Sequence, residues 1–230
     1  MSIASASPGS EVVVFGAGEL AVQAHERIDE LGLRLAAFVV DDDRLGSTTT
    51  LRGVPVMAFS RLQGSYPPAR CAMFVAVGYR HMRARRAVFE RIRALGYRCI
   101  NLISPHANVA RDVAFGTNNL VFASCVVESG AALGDNNVLW SGATVCHDSR
   151  LGNHNFLAPR TVIAGNCRVG DLCFFGVGVA AIDGLTVSSE SYLMAGSVLF
   201  ADTAERGRYR GNPAALFGHC DPARGIELLR

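Results

Sequence analysis

LGDNNVLWSGATVCHDSRLGNHNFL, residues 133–157, carries an apolar residue at every sixth position: Leu133, Leu139, Val145, Leu151 and Leu157. A helix returns to the same face every 3.6 residues and a strand every two, so neither period accounts for it. A period of six describes a short strand and a corner, repeated. Followed outward, it runs unbroken over sixteen positions. Val109, Phe115, Val121 and Val127 precede the quoted stretch, and Ile163, Val169, Phe175, Ala181, Val187, Leu193 and Leu199 follow it. A longer period is superimposed: Gly116, Gly134, Gly152 and Gly170 recur every eighteen residues, with Ser188 next in line. Six residues thus make one side of a triangular coil, and three sides complete it. Stacked coils cover one another as in other solenoids, at the strand spacing of about 4.8 Å. The apolar residue points inward, and the small residues Cys125, Ala131, Ala143, Thr161 and Cys167 fit near the corners. Glycine suits corners that need unusual backbone angles or close approach. The cysteines at 125, 167 and 173 read as packing.

Before the repeats, strands and helices alternate. Glu11–Phe15 reads as a strand running into Gly16-Ala17-Gly18, and residues 19–31 as a helix. Residues 35–40 form a second strand ending at Asp41, Asp42 and Asp43, and a short helix is expected near 57–62. Residues 71–77 form a third strand, 80–95 an arginine-rich helix and 98–103 a fourth strand. Such alternation implies a parallel sheet with right-handed crossovers, a small Rossmann-like α/β domain. Gly16-Ala17-Gly18-Glu19-Leu20-Ala21 has the form of a dinucleotide fingerprint, with helix N–H groups for a phosphate and Asp41–Asp43 beyond the next strand for a ribose. About four strands are too few for two mononucleotide-binding halves. A tight turn without a ligand competes evenly with a binding loop there. On the helix at 80–95, Phe89, Ile92 and Leu95 share one face, so its arginines read as a solvated basic face.

The expected organisation is a Rossmann-like domain over 1–104, a β-solenoid over 105–202, and a tail over 203–230 that closes the solenoid. All 22 basic residues are arginine, which excludes Schiff-base lysines and the lysine of a Walker-type phosphate loop. Seven cysteines without a C-x-x-C pair indicate neither a disulfide framework nor a zinc site; a reducing cytoplasm fits. A net charge of +2 does not suggest a nucleic-acid partner. No run of about 18 apolar residues suggests a membrane span, and MSIASASPGSE at the start shows no secretory leader.

The whole layout from about residue 11 to 215 resembles the NeuD/PglD-like sugar acyltransferases. The matching pieces are VVVFGAGELA, FVVDDD, FVAVGYRHMRARR, SGATVCHDSRLG, IAGNCRVGDLCFFGVG and RGNPA. The resemblance implies a left-handed parallel β-helix, acetyl-CoA as co-substrate with no bound cofactor or metal, and a nucleotide sugar as acceptor. It further implies a homotrimer with the acyl-CoA lodged between prisms. It makes His147 the general base, Asp148 its orienting partner and Gly165 an oxyanion donor in the acyl-CoA site. Gly165 lies eighteen residues after His147, one coil away in the same register. Gly16, Gly18, Asp41, Asp42 and Gly78 match the acceptor-binding positions. Imidazole titrates near neutral pH and suits deprotonation of an amine or hydroxyl.

Two departures stand out. Where many relatives carry a histidine nine residues after the base, this chain reads Phe156-Leu157-Ala158-Pro159-Arg160. Where the first loop usually holds a histidine, it reads Gly18-Glu19-Leu20-Ala21. His154 occupies a different repeat position. N-acylation is the leading expectation, with O-acylation of a sugar and a non-catalytic nucleotide-sugar-binding scaffold as alternatives, and an NAD-dependent oxidoreductase the weakest.

Overall fold

The computed structural model describes residues 11–47 and 49–228; the leader expectation, read from the first eleven residues, lies almost wholly outside them. Two units emerge, one over residues 11–78 and 84–102, the other over 79–83 and 103–228.

The first unit is a six-stranded sheet. Its elements are β1 (Glu11–Phe15), α1 (Glu19–Glu30), β2 (Arg34–Val40), β3 (Thr50–Leu51), β4 (Val54–Ala58), α2 (Leu62–Ser65), β5 (Ala72–Val75), α3 (Met82–Ala94, whose first two residues fall in the second unit) and β6 (Arg98–Cys99). The order across the sheet is β3-β4-β2-β1-β5-β6, parallel except for the antiparallel β3–β4 pair. Every residue from Val12 to Phe15 is buried, because strands covered on both faces read as continuous apolar runs. Val13, Phe15, Met73 and Val75 share one core cluster with Phe89 and Ile92 of α3.

Two expectations are corrected here. The helix expected over 57–62 begins as strand: Met57 and Ala58 pair with Val39 and Val40. Arg52 and Gly53, at φ 49° and 80°, form a two-residue turn whose left-handed pair matches hairpin twist, and this hairpin carries β4 into the sheet. The strand expected over 98–103 is divided. Arg98–Cys99 pairs with β5, whereas Leu102–Ile103 belongs to the first face of the solenoid.

In the second unit three parallel stacks of two-residue strands repeat every eighteen residues. The first face runs through Leu120–Val121, Val138–Leu139, Phe156–Leu157, Phe174–Phe175 and Tyr192–Leu193; we call it the aromatic face. The aliphatic face runs from Asn108–Val109 through Val126–Val127, Thr144–Val145, Val162–Ile163 and Ala180–Ala181 to Val198–Leu199. The arginine face holds Ala114–Phe115, Ala132–Leu133, Arg150–Leu151, Arg168–Val169 and Thr186–Val187. Every inward position from Val121 to Leu199 is at most 5% exposed, so the six-residue period is the core itself.

The corners explain the eighteen-residue period. A Cβ on Gly134 would lie 2.8 Å from the Gly152 carbonyl oxygen of the next coil. Close approach, not backbone angle, excludes a side chain in that column. The left-handed positions are others: Asn118, Asn136, His154, Leu172 and Glu190 at one corner, and Gly130, Asp148, Asn166 and Gly184 at another, all have φ between 56° and 75°. Buried asparagines form a spine beneath the first of these. Asn137 Nδ2 donates to Gly152 O at 3.0 Å, its Oδ1 accepts the Asn155 N–H at 2.9 Å, and its own N–H donates to Asn119 Oδ1 at 2.9 Å.

Beyond Leu199 the tail adds Gly207–Arg210, parallel to Tyr192–Leu193, and then Ala215–His219, antiparallel to it. Arg83 fastens this tail. Its guanidinium meets the Glu190 carboxylate at 2.5 and 2.7 Å and donates to the carbonyls of Pro222 and Ala223.

Candidate active site

His147 sits where the aliphatic face turns into the arginine face, between Thr144–Val145 and Arg150–Leu151. Its Nδ1 lies 3.1 Å from Asp148 Oδ2, and both side chains are more than half exposed. The His147 N–H donates to Glu128 Oε2 at 2.8 Å, fixing the corner from the coil before. Gly165 lies against the other ring edge: a Cβ there would stand 2.5 Å from His147 Nε2. Nδ1 is thus held by a carboxylate, and Nε2 faces the only residue type that leaves room for it.

The Gly165 N–H is not free. It donates to Asp183 Oδ1 at 3.0 Å, so an oxyanion could use it only after the exposed Asp183 side chain moves aside. Asp183 and Glu128 escaped the sequence reading, although the register contains them: Asp183 follows Gly165 by eighteen, and Glu128 precedes Cys146 by eighteen. Cys146 stands beside the base, half-buried. Burial, then the Glu128 and Asp183 carboxylates, push its thiol above the usual range, so it is a weak nucleophile at neutral pH. His154 is separate, 6% exposed, and its Nδ1 is 3.0 Å from Asn136 Nδ2; it is a rung of a corner ladder.

Phe156, at the position of the missing second histidine, belongs to an outward pocket on the aromatic face. Its ring stacks on Phe174 at 5.5 Å and meets Tyr79 at 4.6 Å, while Trp140 stacks on Phe122 at 4.2 Å. Tyr192, Pro159 and Val177 complete an uncharged cavity of about 390 Å³. Phe174 and Trp140 therefore line a cavity wall, outside the prism core.

In the first unit, the expected acceptor residues gather at one edge. Gly16 and Gly18 follow β1, Asp41 and Asp42 follow β2, and Gly78 follows β5, three neighbouring strands whose order reverses at β1. Ligands of parallel α/β sheets bind at such a carboxyl edge. Gly16 has φ 122°, and a Cβ on it would lie 2.8 Å from Ala76 O; Gly18 is the N-cap of α1. No neighbour crowds Gly18 or Gly78. Asp41 is already engaged: Arg91 Nη2 reaches its Oδ1 at 2.6 Å while the guanidinium lies 4.3 Å over the Phe59 ring. Asp42 Oδ1 accepts the Ser60 N–H at 3.0 Å, and hydrogen bonds from Ser60 hold its carboxyl below the usual range. The basic face of α3 is likewise not simply solvated. Arg85 is 1% exposed, donates to Val77 O at 3.0 Å, and burial lowers it to about 10.

Among the described residues no group of three or more histidine, cysteine or acidic side chains is arranged to hold a metal, and no helix is long and apolar enough to cross a membrane.

No family model and no curated protein matches the chain. Solved structures do. The acetyltransferase domain of PglB from Neisseria gonorrhoeae FA1090 is 31% identical over 91% of this chain and 100% of that one, with a TM-score of 0.82. The same domain in complex with acetyl coenzyme A is 30% identical, again at 0.82. PerB from Caulobacter crescentus, in complex with CoA and GDP-perosamine, is 30% identical over 93% of this chain and 99% of that one, also at 0.82.

Proposed function

The chain belongs to the NeuD/PglD-like family of hexapeptide-repeat sugar acyltransferases, and from that premise we propose that it transfers the acetyl group of acetyl-CoA to the amine of a nucleotide-linked amino-deoxysugar. The observation that carries this reading is the corner at which Asp148 engages Nδ1 of His147 while Nε2 faces Gly165.

His147 Nε2 accepts a proton from the amine as its nitrogen lone pair adds to the thioester carbonyl carbon. The tetrahedral intermediate collapses by breaking the carbon–sulfur bond, and the departing CoA sulfur takes the proton back from the imidazolium. Asp148 orients the ring and stabilises its charged form. Gly165 belongs to the acyl-CoA site by leaving Nε2 clear, and its N–H serves the oxyanion if Asp183 yields it. The raised Cys146 thiol favours direct attack over an acyl-cysteine intermediate. Three carboxylates ring the corner, Glu128, Asp148 and Asp183, and their field stabilises the positive charge that builds on an attacking amine nitrogen and disfavours the negative charge of an alkoxide. That supports N-acylation over O-acylation.

The remaining assignments follow the same reading. Residues 1–104 form a Rossmann-like domain that holds the nucleotide sugar through Gly16, Gly18, Asp41, Asp42 and Gly78. Residues 105–202 are the acyltransferase prism, with left-handed coils, and 203–230 its closing tail. The prism assembles as a homotrimer through the aliphatic face, whose outward column is Val126, Thr144, Val162, Ala180 and Val198, with Ile182 and Phe200 exposed nearby. Exposed apolar patches of this kind mark interfaces. Seven free cysteines support a cytoplasmic setting.

The deciding measurement is thiol release from acetyl-CoA with a panel of amino-deoxysugar nucleotides. His147→Ala is expected to lower kcat by about 100- to 10,000-fold, the usual worth of a general base. Turnover unchanged by that substitution would end the catalytic assignment of His147, whereas no thiol release by the wild type with any acceptor would favour the scaffold reading, which Phe156 in place of a histidine supports.

A further inference from the structure

Arg150 and Arg168 are strand partners on the arginine face, in direct register. Their side chains leave the same face of adjacent strands, about 4.8 Å apart. Like charges placed opposite one another are destabilising, yet neither guanidinium has an ion-pair or hydrogen-bond partner among the described residues. Both are exposed, and the rungs on either side, Ala132 and Thr186, are short. Arg168 borders a shallow depression of about 410 Å³ that Thr186, Ser188, Ser189 and Glu205 also line.

The two arginines follow His147 and Gly165 by three residues each, one step along the coil from the base. The corner between them is acidic, with Glu128, Asp148 and Asp183. Such a corner suits an amine and repels a phosphate. Both molecules in the proposed reaction nevertheless carry a diphosphate, one within CoA and one between nucleoside and sugar. We propose that Arg150 and Arg168 form a diphosphate subsite beside the catalytic corner, each guanidinium presenting its fork of donors to phosphate oxygens. The cation pair offsets the carboxylates and aligns the anionic part of a substrate while its reacting end reaches His147. The choice between the two substrates rests on the acyltransferase reading; the affinity for a diphosphate does not.

Titration of the full chain with inorganic pyrophosphate tests the site without turnover. Binding is expected in the wild type and is expected to weaken about tenfold for each of Arg150→Gln and Arg168→Gln, the loss of one charge-assisted contact, with partial retention in the lysine variants. No binding by the wild type, or equal binding by the double variant, overturns the proposal. Free CoA and GDP are then titrated against wild type and double variant. The ligand that weakens identifies the source of the diphosphate, and a loss for neither also overturns it. If pyrophosphate binding behaves as expected while no amino sugar releases thiol from acetyl-CoA, the subsite stands and the acyltransferase reading falls.

Discussion

Asp148 meets two demands at one position. Its backbone has φ 59°, in a column whose other members are Gly130, Asn166 and Gly184, the residue types that tolerate the left-handed region. Its side chain meanwhile engages His147 Nδ1. Asn satisfies the first demand and lacks the charge for the second, so the two can be separated. Asp148→Asn is expected to keep the thermal midpoint and lower kcat about 10- to 100-fold, a modest loss for an exposed pair. Asp148→Ala is expected to lose about 1 kcal/mol of stability as well, because alanine lacks the short polar side chain that lets Asp and Asn tolerate the left-handed region, read as a lower denaturation midpoint. Gly165 offers the complementary case. Its backbone angles allow a side chain, but a Cβ would meet the imidazole. Gly165→Ala should therefore fold and yet lose about 100-fold or more in kcat through displacement of Nε2, with KM for acetyl-CoA as a further readout.

At the scale of elements, legibility followed how many residues could serve. An inward position accepts only an apolar side chain, so the ladder from Val109 to Leu199 announced itself. The outward rungs accept almost anything, and nothing in the period foretold that Phe156, Phe174 and Tyr192 would wall a cavity. The juxtaposition of His147 and Gly165 was legible because the eighteen-residue register aligns them. Asp183 lies in the same register and was missed because an acidic corner residue looks like ordinary surface. The β3–β4 hairpin was missed because its signal is two residues, Arg52 and Gly53, in a stretch without alternation. The asparagine spine is the element whose cost can be measured. Asn137 is fully buried and its side chain makes two hydrogen bonds, to Gly152 O and from the Asn155 N–H. Asn137→Ala is expected to cost roughly 2–4 kcal/mol, since neighbouring buried groups lose their partners, visible in chemical denaturation.

For the whole molecule, the prism gives each of three faces a different chemistry, aromatic, aliphatic and cationic, from one repeating backbone. The inward residues are nearly interchangeable and the outward ones are not, so function is written in the half of the sequence that the fold leaves unconstrained. The same division explains why acyl transfer was read from a handful of corner residues and the acceptor was not. Asp41, the expected ribose ligand, is held by Arg91 from another helix, a pairing that no local pattern reveals.

The eighteen-residue coil also gives the chain a structural reading frame. Excising residues 110–127 would join Val109 to Glu128 in phase, leaving every later inward residue, every glycine column and the His147 corner in register. Excising 110–126 would shift all of them by one, turning Leu133 and its successors away from the axis. The first variant is expected to unfold cooperatively at a lower temperature, and the second to show no cooperative transition, as calorimetry would reveal. Lengthening and shortening by whole coils is thus open to such a chain over evolutionary time, whereas a single-residue slip within the ladder is not.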